Sequence, residues 1–111
     1  MATSEQMARL TRIQEQAKQE NVRLTQHAHE EMVDEAITVE ELLVAILSGE
    51  AQVVEDYPEH RRGACCLLCG FTGSRRPLHV VCTTEQPALI IITVYEPKPP
   101  RWVTPTQRGA R

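Results

Sequence analysis

Residues 76–97 read RPLHVVCTTEQPALIIITVYEP, and this stretch decides the fold. Two runs rich in β-branched residues flank a short polar loop, which is the pattern of a β-hairpin. Alternation places His79, Val81 and Thr83 on one face of the first strand. It also predicts one shared face on the second strand for Leu89, Ile91, Thr93 and Tyr95. The hairpin therefore delivers two proton-handling side chains, His79 and Tyr95, to a sheet.

Three helices are predicted before this hairpin, and the third has the clearest signal. Thr38-x-x-Glu41 is a capping box, and Gly49 is expected to stop the helix. Its core stripe is expected to comprise Leu42, Leu43, Ile46 and Leu47. Thr25 is the predicted cap of the second helix, whose buried face carries Ala28, Met32 and Ala36.

The first predicted helix has a narrow apolar stripe. Thr3 or Ser4 is its cap, and Asn21 is expected to end it. Its stripe consists of Met7, Leu10, Ile13 or Gln14, and Ala17. Such a stripe predicts either loose packing or contact with a partner. The segment Val22–Leu24 that follows is a strand or a linker.

Strand-type periodicity begins at Gln52 and continues to Tyr95. The predicted strands are Gln52–Asp56, Ala64–Thr72, Pro77–Thr84 and Ala88–Tyr95. Because short links join them, we expect an α+β fold with helices packed on one face of a four-stranded, mainly antiparallel sheet. The expected organisation is an N-terminal helical extension at 1–21, an α+β domain at 22–96 and a Pro-rich basic tail at 97–111. Prolines predict that this tail lacks regular structure and is extended, pinned by Trp102.

Size and composition indicate one small domain with a modest core. The chain has 111 residues and a formal net charge of −3. No apolar run is long enough for a membrane span, and no secretory signal is visible, so we expect a cytoplasmic protein whose four cysteines stay reduced.

Residues 1–60 carry 13 acidic and 4 basic side chains, whereas residues 61–111 carry 2 acidic and 8 basic ones. This polarity indicates a polyanion-binding surface, or simply a soluble charged exterior.

Three residues are candidates for acid/base chemistry. His27 lies in the first turn of the second helix, beside Glu31, where the helix dipole favours a neutral imidazole and a bound anion. His79 and Tyr95 share the predicted sheet. For each of these residues the ordinary alternative is a surface or packed side chain with no catalytic task. The chain has no Gly-rich phosphate loop, no GxSxG and no HExxH motif, which argues against acyl transfer and nucleotide hydrolysis.

The cysteines allow a zinc site as an alternative. Cys66, Cys69, His79 and Cys82 form two ligand pairs of the kind found in zinc ribbons. In an extended strand, however, Cys66 and Cys69 face opposite sides, and buried thiols pack as small hydrophobes. The metal-free interpretation is therefore preferred.

Several stretches together resemble a known family. They are, in order, VRLTQHAHEEM, ITVEELLVAILSGE, VVEDYPEHRRG, RPLHVVC, IIITVYEP and a closing RW, running from Val22 to Trp102. The family is a widespread prokaryotic group of small uncharacterised domains allied to the RelE/MqsR-like toxin superfamily. The resemblance implies a RelE-like α+β fold. The family's motif positions correspond here to His27, Glu31, Tyr57, His79, Tyr95 and Trp102.

By the same resemblance, the chain is expected to be the toxin of a type II toxin–antitoxin pair, a metal-independent endoribonuclease without a cofactor. Its expected partners are RNA and a zinc-finger, MqsA-like antitoxin. The candidate catalytic residues are His27, His79 and Tyr95, expected within about 10–12 Å of one another. The candidate phosphate contacts are Arg62, Arg76, Lys98 and Arg101. The alternative from another class is a non-catalytic protein-interaction module that binds through a sheet edge, the first helix or the Pro-rich tail.

Overall fold

A computed structural model describes residues 2–109. These residues contain three helices, α1 (Ser4–Lys18), α2 (Gln26–Asp34) and α3 (Val39–Ile46). Thr3, Thr25 and Thr38 are their N-caps, as the sequence predicts, and each side chain accepts a hydrogen bond from a first-turn amide. None of the helices within residues 2–109 combines the length and apolar character that crossing a bilayer requires.

The C-terminal ends of α1 and α2 differ from the prediction. Each helix is followed by a non-glycine residue with a left-handed backbone, Glu20 and Ala36, both with φ of 55°. After α2, the amides of Ala36 and Ile37 donate to the carbonyls of Val33 and Met32, which is a Schellman motif. Ala36 is therefore exposed beyond the helix end rather than buried on its face.

The main sheet has five strands, not four. They are β1 (Val22–Leu24), β2 (Gln52–Tyr57), β3 (Cys65–Phe71), β4 (Pro77–Thr83) and β5 (Leu89–Tyr95), in the order β1-β5-β4-β3-β2. The added strand, β1, pairs in parallel with β5, so the sheet is mixed rather than antiparallel throughout. The pairing gives backbone partners to the link between α1 and α2, since Leu89 N–H donates to Asn21 O and Thr25 N–H donates to Ile91 O.

The hydrophobic core lies between the helices and one face of this sheet. Ile13 of α1, Met32 of α2 and Ile46 of α3 pack there against Leu78 and Val80 of β4. The close approach of α3 depends on Gly70, because a Cβ built at that position would lie 1.9 Å from the carbonyl oxygen of Ala45. Helices therefore cover one face of the sheet, as expected.

A β-bulge in β5 changes which side chains face the core. Val81 lies opposite Thr93 and Cys82 lies opposite Ile91, so Ile92 is an extra residue in β5. The prediction of one shared face from Leu89 to Tyr95 is therefore wrong. Leu89 and Ile91 join the core beneath the helices, whereas Tyr95 lies next to His79 on the other face.

The C-terminal segment is also more regular than predicted. Trp102–Thr104 (β6) and Gln107–Arg108 (β7) pair as a small antiparallel sheet of their own, hereafter the C-terminal hairpin. Its turn contains Pro105, where the ring costs no ladder hydrogen bond. The Gly109 amide closes the base by donating to Arg101 O at 2.7 Å. The expectation of an extended tail without regular structure is thus corrected, although Trp102 does pin the segment, with 2% of its surface exposed.

Candidate functional site

The site is built around a histidine–tyrosine pair on the sheet face opposite the helices. His79 of β4 and Tyr95 of β5 are register partners, so their side chains point to the same side. His79 Nδ1 lies 3.1 Å from the Tyr95 hydroxyl, and the two rings meet edge to face at 5.2 Å. The sheet register therefore fixes this contact without help from any loop.

The neighbours of His79 determine which ring nitrogen carries the proton. His79 Nε2 lies 2.5 Å from the carbonyl oxygen of Pro105, which can only accept a hydrogen bond. In the neutral ring the hydrogen is consequently on Nε2, and Nδ1 accepts a hydrogen bond from the Tyr95 hydroxyl. Both nitrogens are engaged in this arrangement.

Burial keeps both groups uncharged. His79 is 0% exposed, and its pKa is lowered chiefly by desolvation, against the opposing effect of the hydrogen bond to Pro105 O. Burial likewise raises the pKa of Tyr95, while the charges of Arg101 and Arg108 act in the opposite direction. At neutral pH the pair is therefore a neutral imidazole, able to accept a proton, beside a protonated phenol, able to donate one.

The C-terminal hairpin covers this pair. The Trp102 ring lies edge to face on His79 with centroids 4.4 Å apart, and the Arg108 guanidinium sits 4.7 Å above the Trp102 ring. Among the described residues, the buried Trp102 Nε1 has no hydrogen-bond partner. Its polar interaction with the Tyr95 hydroxyl lowers the pKa of that tyrosine but does not reach hydrogen-bond geometry.

An ion pair joins the hairpin to the edge strand β2. Arg108 Nε donates to Glu55 Oε2 at 2.5 Å, and its Nη2 donates to Glu55 Oε1 at 2.8 Å, a forked two-bond arrangement. The Tyr57 hydroxyl also donates to Glu55 Oε1, at 2.5 Å. Arg108 holds the pKa of Glu55 below its usual range, and burial raises that of Tyr57. We call these six side chains the histidine cluster: Glu55, Tyr57, His79, Tyr95, Trp102 and Arg108.

Sequence reasoning missed Glu55 and Arg108. The signal for Glu55 was a carboxylate within the strand VVEDY at alternating spacing from Tyr57, which places the two side chains on one face. Nothing in the sequence pattern pairs Arg108 with it, because the two lie 53 positions apart.

His27 lies away from the histidine cluster. It is on α2, which packs through Ala28 and Met32 against the opposite face of the sheet. Its side chain is 65% exposed, with Nε2 3.3 Å from Glu31. Glu31 accepts a hydrogen bond from the Val94 amide at 3.0 Å, beyond the end of β1, so it supplies a partner to the free edge of β5. The structure thus brings His79 and Tyr95 together and leaves His27 on the helix side.

The four predicted phosphate contacts divide into two kinds. Arg76 Nε binds Glu96 at 2.7 Å, and Nη2 donates to the Glu35 carbonyl at 2.8 Å, so its guanidinium ties the end of α2 to the sheet. Arg62, Lys98 and Arg101 are exposed and form no ion pair with any acidic residue that the structure describes.

The alternative zinc site is divided by the sheet. Cys66 and Cys82 are opposite each other within the core, where the neighbouring Cys66 thiol and burial raise the pKa of Cys82. Cys69 and His79 are opposite each other on the other face. Nowhere in residues 2–109 do three or more His, Cys, Asp or Glu side chains gather so as to hold a metal ion. All four cysteines are buried and free.

A family model, described as a domain of unknown function (DUF4258), matches residues 24–96. The chain belongs to the DUF4258 family. The match spans the last residue of β1 to the end of β5, so it includes Glu55, His79 and Tyr95 but not the C-terminal hairpin. No curated protein and no solved structure matches this DUF4258 protein.

Proposed function

We propose that this protein is a metal-independent endoribonuclease, with His79 and Tyr95 as its acid/base pair. The observation that carries the proposal is the contact between a neutral imidazole and a protonated phenol, fixed by the register of β4 and β5. These are the two protonation states that cleavage of RNA without metal requires at neutral pH. The resemblance of the sequence to small domains allied to the RelE/MqsR-like toxins supports the same activity and a RelE-like fold by analogy alone.

The proposed reaction is internal transesterification of RNA. The 2′-oxygen attacks the neighbouring phosphorus and loses its proton to the base, while the bond from phosphorus to the 5′-oxygen breaks. The acid protonates that 5′-oxygen, so the products are a 2′,3′-cyclic phosphate and a 5′-hydroxyl. His79 is the base and Tyr95 the acid. Once Pro105 is withdrawn, the neutral ring changes to the tautomer with its hydrogen on Nδ1, which donates to the Tyr95 oxygen, and the free lone pair on Nε2 takes the proton of the 2′-hydroxyl.

Cations near the pair would stabilise the charge that grows on the phosphate. Arg101 is close enough to Tyr95 for its charge to lower the pKa of the phenol. Lys98 lies on the same segment, and Arg62 follows β2. These three exposed side chains are the proposed phosphate contacts, since the guanidinium of Arg76 is engaged by Glu96 and the end of α2.

The experiment is cleavage of mixed-sequence RNA by purified protein, freed of any bound partner, in excess chelator. The wild type is expected to cut. The variants His79→Gln and Tyr95→Phe are each expected to be slower by about 100-fold or more, the usual range for losing an acid or base. His29→Ala is the matched control, an exposed histidine on α2, and should cut at the wild-type rate. Intact RNA after incubation with the wild type would refute the proposal.

A second candidate function is a protein-interaction module, favoured by the free edge of β1. This strand ends the sheet, and beside it lies a depression of about 210 Å³ with apolar walls, including Val22, Leu24, Val39 and Leu43. Such an edge can accept an added strand from a partner. In the toxin proposal that partner is a zinc-finger, MqsA-like antitoxin. Co-purification with the product of the adjacent reading frame tests it: a zinc-finger protein supports the toxin pair, and an unrelated protein supports an adaptor.

A further inference from the structure

The C-terminal hairpin is held over the histidine cluster by side-chain contacts. It forms a separate two-stranded sheet, and its strands do not join the ladder of the five-stranded sheet. Three contacts hold it down: Pro105 O on His79 Nε2, the Trp102 ring on the His79 ring, and Arg108 on Glu55. An isolated two-stranded hairpin is marginally stable in water, so these contacts keep it in place.

Two of the three contacts occupy His79, the base of the proposed reaction. Pro105 O occupies the site next to His79 Nε2 that the 2′-hydroxyl would approach. Trp102 shields the imidazole ring from solvent, so His79 is 0% exposed. We propose that the C-terminal hairpin is an autoinhibitory cover, which RNA opens by competing with Glu55 for Arg108. The inhibitory role of the cover rests on the proposed function, whereas the opening of the hairpin can be measured without RNA cleavage.

The chemistry of the Arg108 contact identifies the competitor as a phosphate polyanion. Glu55 accepts two parallel hydrogen bonds from the Arg108 guanidinium through its two carboxylate oxygens. Two oxygens of a phosphate group can accept the same pair of hydrogen bonds. Arg108 is 51% exposed at its side chain, so an incoming phosphate can reach it. Lys98 and Arg101 precede the hairpin and add positive charge that attracts the same ligand.

One polar group of the hairpin favours its opening. The Trp102 indole N–H is buried, and it lacks a hydrogen-bond partner among residues 2–109. A buried donor without a partner favours the open state, in which water can bind it. Burial of this donor therefore opposes closure, whereas the three contacts favour it.

The only tryptophan in the chain is the reporter for the test. In an NMR experiment on ¹⁵N-labelled protein, Trp102 gives one indole N–H signal, whose hydrogen-exchange rate follows the population of the open hairpin. Arg108→Gln removes the ion pair and the contact with the ring. We expect its indole N–H to exchange about 2- to 5-fold faster than in the wild type, as the loss of a partly exposed ion pair allows. Amides of β3 and β4 should keep their protection, which shows that the fold is intact.

Arg75→Gln is the matched control. Arg75 also pairs with a glutamate, Glu50, and also lies over an aromatic ring, Phe71 at 5.0 Å, but away from the hairpin. Its substitution should leave the exchange of the Trp102 indole unchanged. Poly(U) RNA should accelerate this exchange in the wild type beyond the effect of KCl at equal ionic strength, and should add less in Arg108→Gln. If Arg108→Gln disturbs the β3 and β4 amides, Glu55→Gln replaces it, with the same expectation.

The cover is refuted if the Trp102 indole exchanges at the wild-type rate in both Arg108→Gln and Glu55→Gln. It is also refuted if poly(U) accelerates the exchange no more than KCl does. These outcomes do not depend on cleavage. Faster exchange in a variant that leaves RNA intact would support the cover while refuting the nuclease. Cleavage of RNA with a permanently shielded indole would support the nuclease and refute the cover.

Discussion

His79 is the residue whose protonation should affect the fold most directly. Groups face it from every element packed against it: Tyr95 from β5, Cys69 from β3, Glu55 from β2 and Arg108 from the C-terminal hairpin. Desolvation is the largest effect and lowers the pKa of His79, so the folded protein resists protonation of this ring.

The expected consequence is a loss of stability in mild acid. Because the pKa of His79 is lower in the folded than in the unfolded chain, the unfolded chain takes up the proton first as the pH falls below about 6.5. The free energy of unfolding should therefore decrease from that pH down to the folded pKa and then level off. Urea unfolding at pH 7.5 and 5.0, compared with His79→Gln, isolates this effect from the other histidines. A difference between the two proteins that is independent of pH would contradict it.

Ala36 provides a second test at the scale of one residue. Its φ of 55° is in the left-handed region, where a Cβ costs about 1–2 kcal/mol and glycine is unstrained. Ala36→Gly should raise the free energy of unfolding by about 0.5–1 kcal/mol, net of the entropy lost by glycine. Ala8→Gly, at an exposed position inside α1, should instead lower it by about 1 kcal/mol. Denaturant unfolding of both variants measures the two signs, and an equal loss in both would contradict the account of the α2 terminus.

At the scale of elements, the approach of α3 to β3 depends on Gly70. A side chain there would overlap the backbone of Ala45, which cannot rotate away as a flexible side chain would. Gly70→Ala should destabilise the protein by about 3 kcal/mol or more. Gly73→Ala, in the open turn after β3, meets nothing within 4 Å and should change stability by less than about 0.5 kcal/mol. Thermal or urea unfolding of the two variants measures this difference. A Gly70→Ala protein as stable as Gly73→Ala would contradict the dependence of α3 packing on Gly70.

Elements with local signals were predictable from the sequence. The caps Thr3, Thr25 and Thr38, and the strands β2 to β5, follow from residue chemistry within one turn or one alternating run. Features that depend on distant pairing were not. The parallel pairing of β1 with β5 and the bulge at Ile92 are fixed by the sheet, and the bulge decided which residues of β5 share a face with His79.

At the scale of the whole molecule, the histidine cluster also combines residues that the sequence predicted with residues that only the fold brings together. His79 and Tyr95 came from one hairpin in the sequence, so they were expected to lie near each other. Glu55 is on the edge strand β2, and Arg108 is on the C-terminal hairpin. The two meet only because the C-terminal segment folds over the sheet face that the helices leave uncovered. The Pro-rich composition led to the wrong prediction for that segment, because prolines before a short hairpin and in its turn are compatible with its two strands.

The chemical identity of the RNA ends is the most direct measurement of the central claim, which is metal-free cleavage by the His79–Tyr95 pair. Mixed-sequence RNA is incubated in chelator with the wild type or with His79→Gln, and the fragments are analysed by mass spectrometry. The wild type should yield 2′,3′-cyclic phosphate and 5′-hydroxyl ends, with yield falling about 100-fold in the variant. Intact RNA, 3′-hydroxyl and 5′-phosphate ends, or equal cleavage by both proteins would contradict the account.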